Sequence, residues 1–259
     1  MRRKDIDGIS GLMIVYMIFV HIVNFTHTGN FFVVLMRPLF FFMPWFFFKS
    51  GMFFFHKSNN QMFLEGKKLL YPYVKYSLYG IIVWSVILFF YGETSWVKYI
   101  LSPFYQILKE GAVMGNLPLW FLASLFVAKL MYNAICSQKY YLTLLFLCII
   151  AAYILDVTNC NYIVWFGNIL SGLFFLGMGH LLKDVQYKKI VFIISMLFYV
   201  AYLSIPSLFS NVDMRANHCN HGYYLLYVLG SLSGIIMINN IFIICLKIHP
   251  YCMLLVVNR

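Results

Sequence analysis

Charged residues are scarce in this sequence. Only 10% of its 259 residues are Asp, Glu, Lys or Arg, whereas 63% are hydrophobic and 20% are aromatic. A typical soluble domain carries about 25% charged residues, which it needs to cover its surface. The composition therefore excludes a water-soluble enzyme or a soluble binding module, and it predicts a protein that crosses a membrane several times.

The chain also lacks the motifs of several common sites. No GxSxG nucleophile elbow, P-loop, GxGxxG or HExxH is present, and none of the six cysteines belongs to a CxxC pair. We therefore expect neither a disulfide framework nor a metal site. His218 and His221 are three residues apart and could share a metal on a helical turn. No third ligand is evident, so a solvated loop is the simpler interpretation.

The apolar runs, such as FFFMPWFFF, do not alternate with polar residues, and this favours membrane-spanning helices over barrel strands. Ser95–Leu108 is rich in aromatic residues and contains a proline, which suits a segment at the membrane interface. The spacing of Gly230 and Gly234 predicts a close helix–helix contact. The runs predict an all-α transmembrane bundle of about eight spans: Gly11–Thr28, Pro38–Phe55, Leu70–Tyr91, Leu117–Cys136, Tyr141–Leu155, Ile163–Leu182, Ile190–Leu208 and Tyr223–Leu246.

The basic residues predict the orientation of these spans. The net charge is +11, from 19 Lys and Arg against 8 Asp and Glu. With the N-terminus inside, twelve basic residues fall in cytoplasmic segments and four in outer segments, and the remainder lie within spans. Cytoplasmic loops are enriched in Lys and Arg, so we expect both termini to be cytoplasmic. No basic stripe with interleaved aromatics lies outside the apolar runs, so nucleic acid is not an expected partner; the lipid bilayer is.

The first span carries the clearest candidate for chemistry, His21. It lies about 15 Å into the span, and an ionisable group at that depth is costly. Ser10 is eleven residues earlier and about 20° away on the same helix face, and Asp7 is about 40° away in the other direction. We expect this stripe, which includes Gly11, Ile14 and Ile18, to face the bundle interior. A neutral imidazole there is a candidate general base, and a structural histidine bonded to a neighbouring helix is equally compatible.

Three further ionisable residues lie in or beside apolar runs. Lys49 interrupts FFFMPWFFFKSGMFFF near the predicted cytoplasmic end of its span. It either extends to the interface or contacts an anionic ligand that enters from the cytoplasm. His180 lies near the inner end of its span, where we expect a structural or interfacial role. Asp156 closes a span at the outer face, where we expect it to be interfacial.

Four blocks of the sequence occur in an order that is typical of one enzyme family. They are RRKDIDGISGLMIVYMIFVHI, FFFMPWFFFKSGMFFF, KKLLYPYVKYSLYG and LPLWFLASLF, with GLFFLGMGHLLKD as a weaker fifth. Together they resemble the acyltransferase 3 family of integral membrane acyltransferases, in which Asp7, Gly8, Gly11 and His21 fall at the family spacing. The resemblance covers residues 1–182 well and the remainder loosely. It describes a single membrane-embedded domain over residues 1–259.

The chain departs from the family pattern in two places. The family usually has Arg or Lys at the position of Ser10, and Lys49 or Lys4 could supply that cation instead. Family members also have about ten spans and a late block with Asn-Ser-x-x-Ile-Tyr and a histidine, which this sequence lacks. A C-terminally truncated, inactive family member is therefore one alternative.

The resemblance implies transfer of an acyl group, usually acetyl, from cytoplasmic acyl-CoA to a carbohydrate hydroxyl of the cell envelope. The location would be the cytoplasmic membrane, with acyl-CoA as a co-substrate and no tightly bound cofactor. His21 would act as base or acyl relay, Asp7 would orient the stripe or bind near the donor, and Lys49 and Ser10 would lie on the donor side. A homo-oligomer is compatible with the sequence. A membrane carrier or flippase for a glycan or lipid precursor is the alternative from another class, although no internal repeat is evident.

Overall fold

The computed structural model describes residues 3–26, 37–158, 164–205, 212–219 and 223–248. These residues are mostly helical, as predicted. Short 3-10 turns occur at Arg37–Leu39, Met114–Leu119 and Val185–Tyr187, and strands β1 (Val212–Asp213) and β2 (His218–Cys219) pair in a small sheet. The helices are α1 (Lys4–Thr26), α2 (Phe42–Met52), α3 (Asn59–Phe90), α4 (Trp96–Glu110), α5 (Trp120–Ile135), α6 (Tyr141–Val157), α7 (Val164–Leu182), α8 (Lys189–Leu203) and α9 (Tyr224–Ile248).

Several of these helices have the length and composition of membrane spans. A bilayer has a hydrocarbon core of about 30 Å, which about 20 helical residues cross. α6 and α8 are also apolar but have only 17 and 15 residues. In the described part of the chain, five stretches are long and apolar enough to cross: Lys4–Ile22, Asn60–Phe90, Trp96–Ile135, Trp165–Leu182 and Tyr224–Leu246. The protein is therefore a helical membrane protein.

Two predicted boundaries differ from the structure because hydropathy detects apolar residues rather than helical backbone. α1 begins at Lys4 and α3 at Asn59, in polar stretches that precede the predicted spans. The span predicted over Pro38–Phe55 contains the helix α2, which has 11 residues and a length of about 16 Å. Pro44 lies in the first turn of α2, where a missing backbone N–H breaks no helical hydrogen bond.

The segment predicted for the membrane interface forms α4. Its apolar residues recur every three or four positions and are exposed, so α4 presents one apolar face. This pattern is typical of helices that lie in the interface plane, and the interfacial location stays a prediction. The exposed apolar residues are Val97, Ile100, Leu101, Phe104 and Leu108.

The described chain divides into two compact units. The first comprises Met1–Phe53, Met178–Val212 and Gly222–Arg259. Here α9 packs against α8 and α1, and α2 packs against α1 and α9. The close contact predicted for the glycine pair of α9 is confirmed. A Cβ on Gly230 would lie 3.0 Å from the ring of Tyr202, and one on Gly234 would lie 2.4 Å from the ring of Phe41.

The second unit comprises Phe54–Gly177 and Asp213–His221. In it α3 packs against α5, against α4 and against the turn at Met114–Leu119. Glycine permits the closest of these approaches. A Cβ on Gly115 would lie 2.2 Å from the carbonyl oxygen of Gly80 in α3. The backbone of the turn therefore lies directly on the backbone of the helix.

Candidate functional site

The first unit brings Lys49 onto Ser10. Ser10 donates its hydroxyl proton to the carbonyl oxygen of Ile6, one turn earlier in α1, at 2.6 Å. Its oxygen also accepts a hydrogen bond from the Lys49 ammonium, again at 2.6 Å. A hydroxyl can serve as donor and acceptor at once, so Ser10 can form both hydrogen bonds together. Lys49 thus places a positive charge at the position of Ser10.

Two further groups surround this ammonium. The ring of Trp45, one turn earlier in α2, has its centroid 5.5 Å from Lys49 Nζ, within the range of a cation–π contact. Asp7 attracts the same ammonium electrostatically from α1. The structure therefore brings together Asp7, Ser10 and Lys49, three of the four residues selected from the sequence.

His21 lies apart from this group. It is eleven residues after Ser10, which corresponds to about 16 Å along the axis of α1. Its side chain is half-buried. Among the described residues, no side chain forms a hydrogen bond or an ion pair with it. A direct contact between His21 and the pair of Ser10 and Lys49 is therefore absent from the described structure.

The prediction that the polar stripe of α1 faces the interior is wrong for most of its residues. Asp7 and Gly11 are exposed, and only Ser10 and His21 are half-buried. Ile14 and Ile18 are 45% and 51% exposed, whereas Ile6, Ile9 and Met13 are fully buried. The physical reason is that α1 is apolar on most of its circumference. Hydropathy therefore does not determine which face of α1 is buried. That face is determined by how α2 and α9 pack against α1.

A buried amide network lies next to Trp45 and was missed by the sequence analysis. The indole N–H of Trp45 donates to Oδ1 of Asn239 at 3.0 Å. The amide of Asn239 donates to Oε1 of Gln186 at 2.8 Å, and that of Asn240 donates to the backbone oxygen of Gln186 at 2.9 Å. The network ties α9 to the turn at Val185–Tyr187. The sequence does indicate such a network, because Asn239 and Asn240 are adjacent within an apolar run and buried amides require hydrogen-bond partners.

The basic N-terminus is tied to the same turn. Arg3 donates hydrogen bonds to Asp5 and to the hydroxyl of Tyr187, and its guanidinium lies 5.1 Å from the centroid of that ring. The hydrogen bond to Asp5 raises the pKa of Arg3, so this side chain remains a cation. Burial raises the pKa of Tyr187 and keeps its hydroxyl protonated. Arg3 is therefore a fixed cation whose charge is compensated by its ion pair with Asp5.

In the second unit the short hairpin is held by charges and amides. Arg215 pairs with Glu110 at the end of α4, with 2.7 Å between Nη1 and Oε2. The backbone oxygen of Arg215 accepts a hydrogen bond from Asn168 in α7 at 2.9 Å. Asn168 in turn accepts one from Ser124 in α5 at 2.6 Å. Arg215 thus contacts α4 and α7 directly, and Asn168 links it to α5.

Asp156 lies near the end of α6, as predicted, and its side chain is fully buried in the protein. Its location at the membrane interface stays a prediction. Nδ1 of His218 lies 3.0 Å from the Asp156 carboxylate, so His218 is not merely solvated. Asn217 holds the hairpin turn with a positive φ of 52° and donates to the carbonyl oxygen of Ala152 at 2.9 Å. His221, the second histidine of the candidate metal pair, lies outside the described residues. In the ranges that the structure covers, no three His, Cys, Asp or Glu are grouped for a metal ion.

Comparison with known proteins finds no relative of this chain. No family model matches it, and neither a curated protein nor a solved structure does. The functional inference therefore depends on the site and on the sequence blocks.

Proposed function

We propose that the chain is an integral membrane O-acyltransferase that moves an acyl group, most simply acetyl, from cytoplasmic acyl-CoA to a carbohydrate hydroxyl. The observation that carries this proposal is the hydrogen bond between Lys49 and Ser10. It supplies a cation eleven residues before His21, where the acyltransferase 3 family usually has Arg or Lys. A spatial neighbour thereby compensates for the main departure of the sequence from the family pattern.

The proposal includes about eight spans with both termini in the cytoplasm. The loop charges support the orientation. Polar contacts support only the grouping of loops, because residues predicted on the same side of the membrane contact one another. A direct polar contact cannot bridge a hydrocarbon core of about 30 Å, so residues in contact lie on the same side of the membrane. The pairs are Glu110 with Arg215 and Asp156 with His218 on the predicted outer side, and Arg3 with Tyr187 on the predicted inner side.

Lys49 suits an anionic donor. It is a cation near the predicted cytoplasmic surface, and such a charge raises the local concentration of a negatively charged ligand. The long flexible arm of CoA can bridge the separation of about 16 Å between Ser10 and His21 along α1. The anionic end of the donor would then lie at Lys49 and its thioester near His21.

In the proposed reaction His21 serves as the base. His21 accepts the proton of the acceptor hydroxyl while the hydroxyl oxygen attacks the thioester carbonyl. A carbon–oxygen bond forms, the carbon–sulfur bond breaks, and the proton on His21 passes to the departing sulfur. The products are the acylated carbohydrate and free coenzyme A. Relay of the acyl group through the imidazole is the variant in which His21 acts as nucleophile.

An inactive family member is the alternative that one observation favours. Among the described side chains, His21 has no hydrogen-bond partner that would orient its ring. A base that is oriented only by bound substrate is compatible with catalysis, since catalytic hydrogen bonds often tighten only in the complex. Activity measurements separate the two cases.

The test uses the purified full chain in detergent with radiolabelled acetyl-CoA, and cells in which envelope glycans are assayed for acetate. We expect His21→Ala to abolish acetylation while membrane insertion is retained. His56→Ala, at an exposed histidine outside the helices, is the matched control and should remain active. Unchanged glycan acetate in the His21 variant would contradict the proposal. Uptake of a glycan precursor into liposomes without label transfer would favour a carrier.

A further inference from the structure

A cleft of about 360 Å³ opens between α3 and α5 in the second unit. Its apolar wall consists of Met62, Leu69 and Phe126. Gly66 shapes this wall, because a Cβ at that position would lie 2.1 Å from the ring of Phe126. The aromatic ring therefore lies directly on the backbone of α3. The cleft can accommodate an aliphatic chain along this wall.

The lining of the cleft also carries positive charge. Its ionisable residues are Glu65, Lys68 and Lys129. Glu65 forms an ion pair with Lys57, so its charge is already compensated. In the described part of the chain, Lys68 and Lys129 form neither a hydrogen bond nor an ion pair. Two positive charges thus face the cleft without a paired carboxylate.

Lys129 lies in the apolar helix α5, seven residues before the end of the predicted span, which is about 10 Å along the axis. An ammonium in such a helix is costly unless an anion accompanies it. Glu65 attracts Lys129 electrostatically but gives its ion pair to Lys57. An anionic ligand would balance the positive charge of Lys129 most directly.

We propose that this cleft binds the phosphate of an anionic phospholipid, with the phosphate between Lys68 and Lys129 and an acyl chain along Phe126. Basic pockets between membrane helices on the cytoplasmic side are known to hold such head groups. The α3 surface beside the cleft is apolar and open, with Phe63 55% and Leu64 59% exposed, so a lipid can enter from the bilayer. The leaflet is the cytoplasmic one if the proposed orientation holds. The site is independent of acyl transfer.

The test measures lipid retention by the full chain. The protein is delipidated in mild detergent, mixed with equal amounts of phosphatidylglycerol and phosphatidylcholine of the same acyl chains, and examined by native mass spectrometry. We expect the wild type to retain phosphatidylglycerol in preference to phosphatidylcholine. Lys68→Gln and Lys129→Met should each reduce that preference about fivefold, the effect of one lysine near an anionic lipid.

Lys67→Gln is the matched control. It removes the same charge from the neighbouring exposed residue of α3, which does not line the cleft. Its lipid preference should equal that of the wild type. If Lys129→Met does not fold, Lys68→Gln carries the test, since Lys68 is exposed. Equal losses in the Lys67 and Lys68 variants would overturn the proposal, as would displacement of the bound lipid by coenzyme A.

Discussion

Replacing Ser10 by alanine removes the acceptor that holds the ammonium of Lys49. The two atoms are 2.6 Å apart, and both side chains are half-buried. A hydrogen bond that involves a charged group contributes about 1.5–3 kcal/mol to stability. Partial exposure places this one near the lower end, at about 1.5 kcal/mol. The contact of Lys49 with the ring of Trp45 does not involve Ser10 and should contribute about 0.5–1 kcal/mol in either background.

These values predict a specific pattern in a double-mutant cycle. Ser10→Ala should lose about 1.5 kcal/mol of unfolding free energy, and Lys49→Met about 2 kcal/mol, because it removes both contacts. The double variant should lose no more than Lys49→Met alone. The coupling energy is therefore expected to be about 1.5 kcal/mol, well above the additivity error of about 0.5 kcal/mol.

The assay is reversible unfolding of the four proteins in the same detergent, with acetyl transfer measured in parallel. If acetyl transfer requires a cation at this position, whichever residue supplies it, Ser10→Arg should restore acetyl transfer in the Lys49→Met background. A coupling energy near zero would refute the assignment of Lys49 to Ser10. A coupling energy of about 1.5 kcal/mol without rescue by Ser10→Arg would support the contact between Lys49 and Ser10 but refute its role in donor binding.

Two further predictions concern packing and burial. Gly179→Ala should destabilise the protein by about 1–3 kcal/mol, as measured by thermal denaturation. The added Cβ would lie 2.0 Å from the carbonyl oxygen of Phe48, a backbone atom that cannot rotate away. Gly11→Ala is the matched control and should be neutral or stabilising, since nothing lies within 4 Å of its Cβ, and equal losses would contradict the reasoning. His218→Ala should loosen the hairpin to protease more than Asp156→Ala does, because it leaves a fully buried carboxylate without its partner. Equal cleavage rates of the two variants would argue against that contact.

Helices could be predicted from the sequence more reliably than their ends. The span predicted over Tyr223–Leu246 corresponds closely to α9, because every turn of it is apolar. By contrast, the run at Pro38–Phe55 is equally apolar, yet its helix has 11 residues. Hydropathy measures the preference of side chains for lipid or protein interior. It does not measure where the backbone turns, so it does not give the length of the helix within an apolar run.

The candidate site was predictable only as a set of separate residues. Asp7, Ser10 and His21 follow from one helical period on α1. Lys49 is 39 residues from Ser10, and no local pattern relates the two. Their hydrogen bond depends on how α1 and α2 pack. The sequence offered Lys49 as a substitute for the missing cation, and the structure placed its ammonium on Ser10.

The amino-acid sequence alone determined that this protein is helical and belongs in a membrane, since composition and hydropathy act residue by residue. Tertiary structure decided which polar groups meet: Lys49 with Ser10, and Asn239 with Trp45 and Gln186. It also decided which face of α1 is buried. A helix that is apolar nearly all round can bury any side, and only the shape of its neighbours selects one.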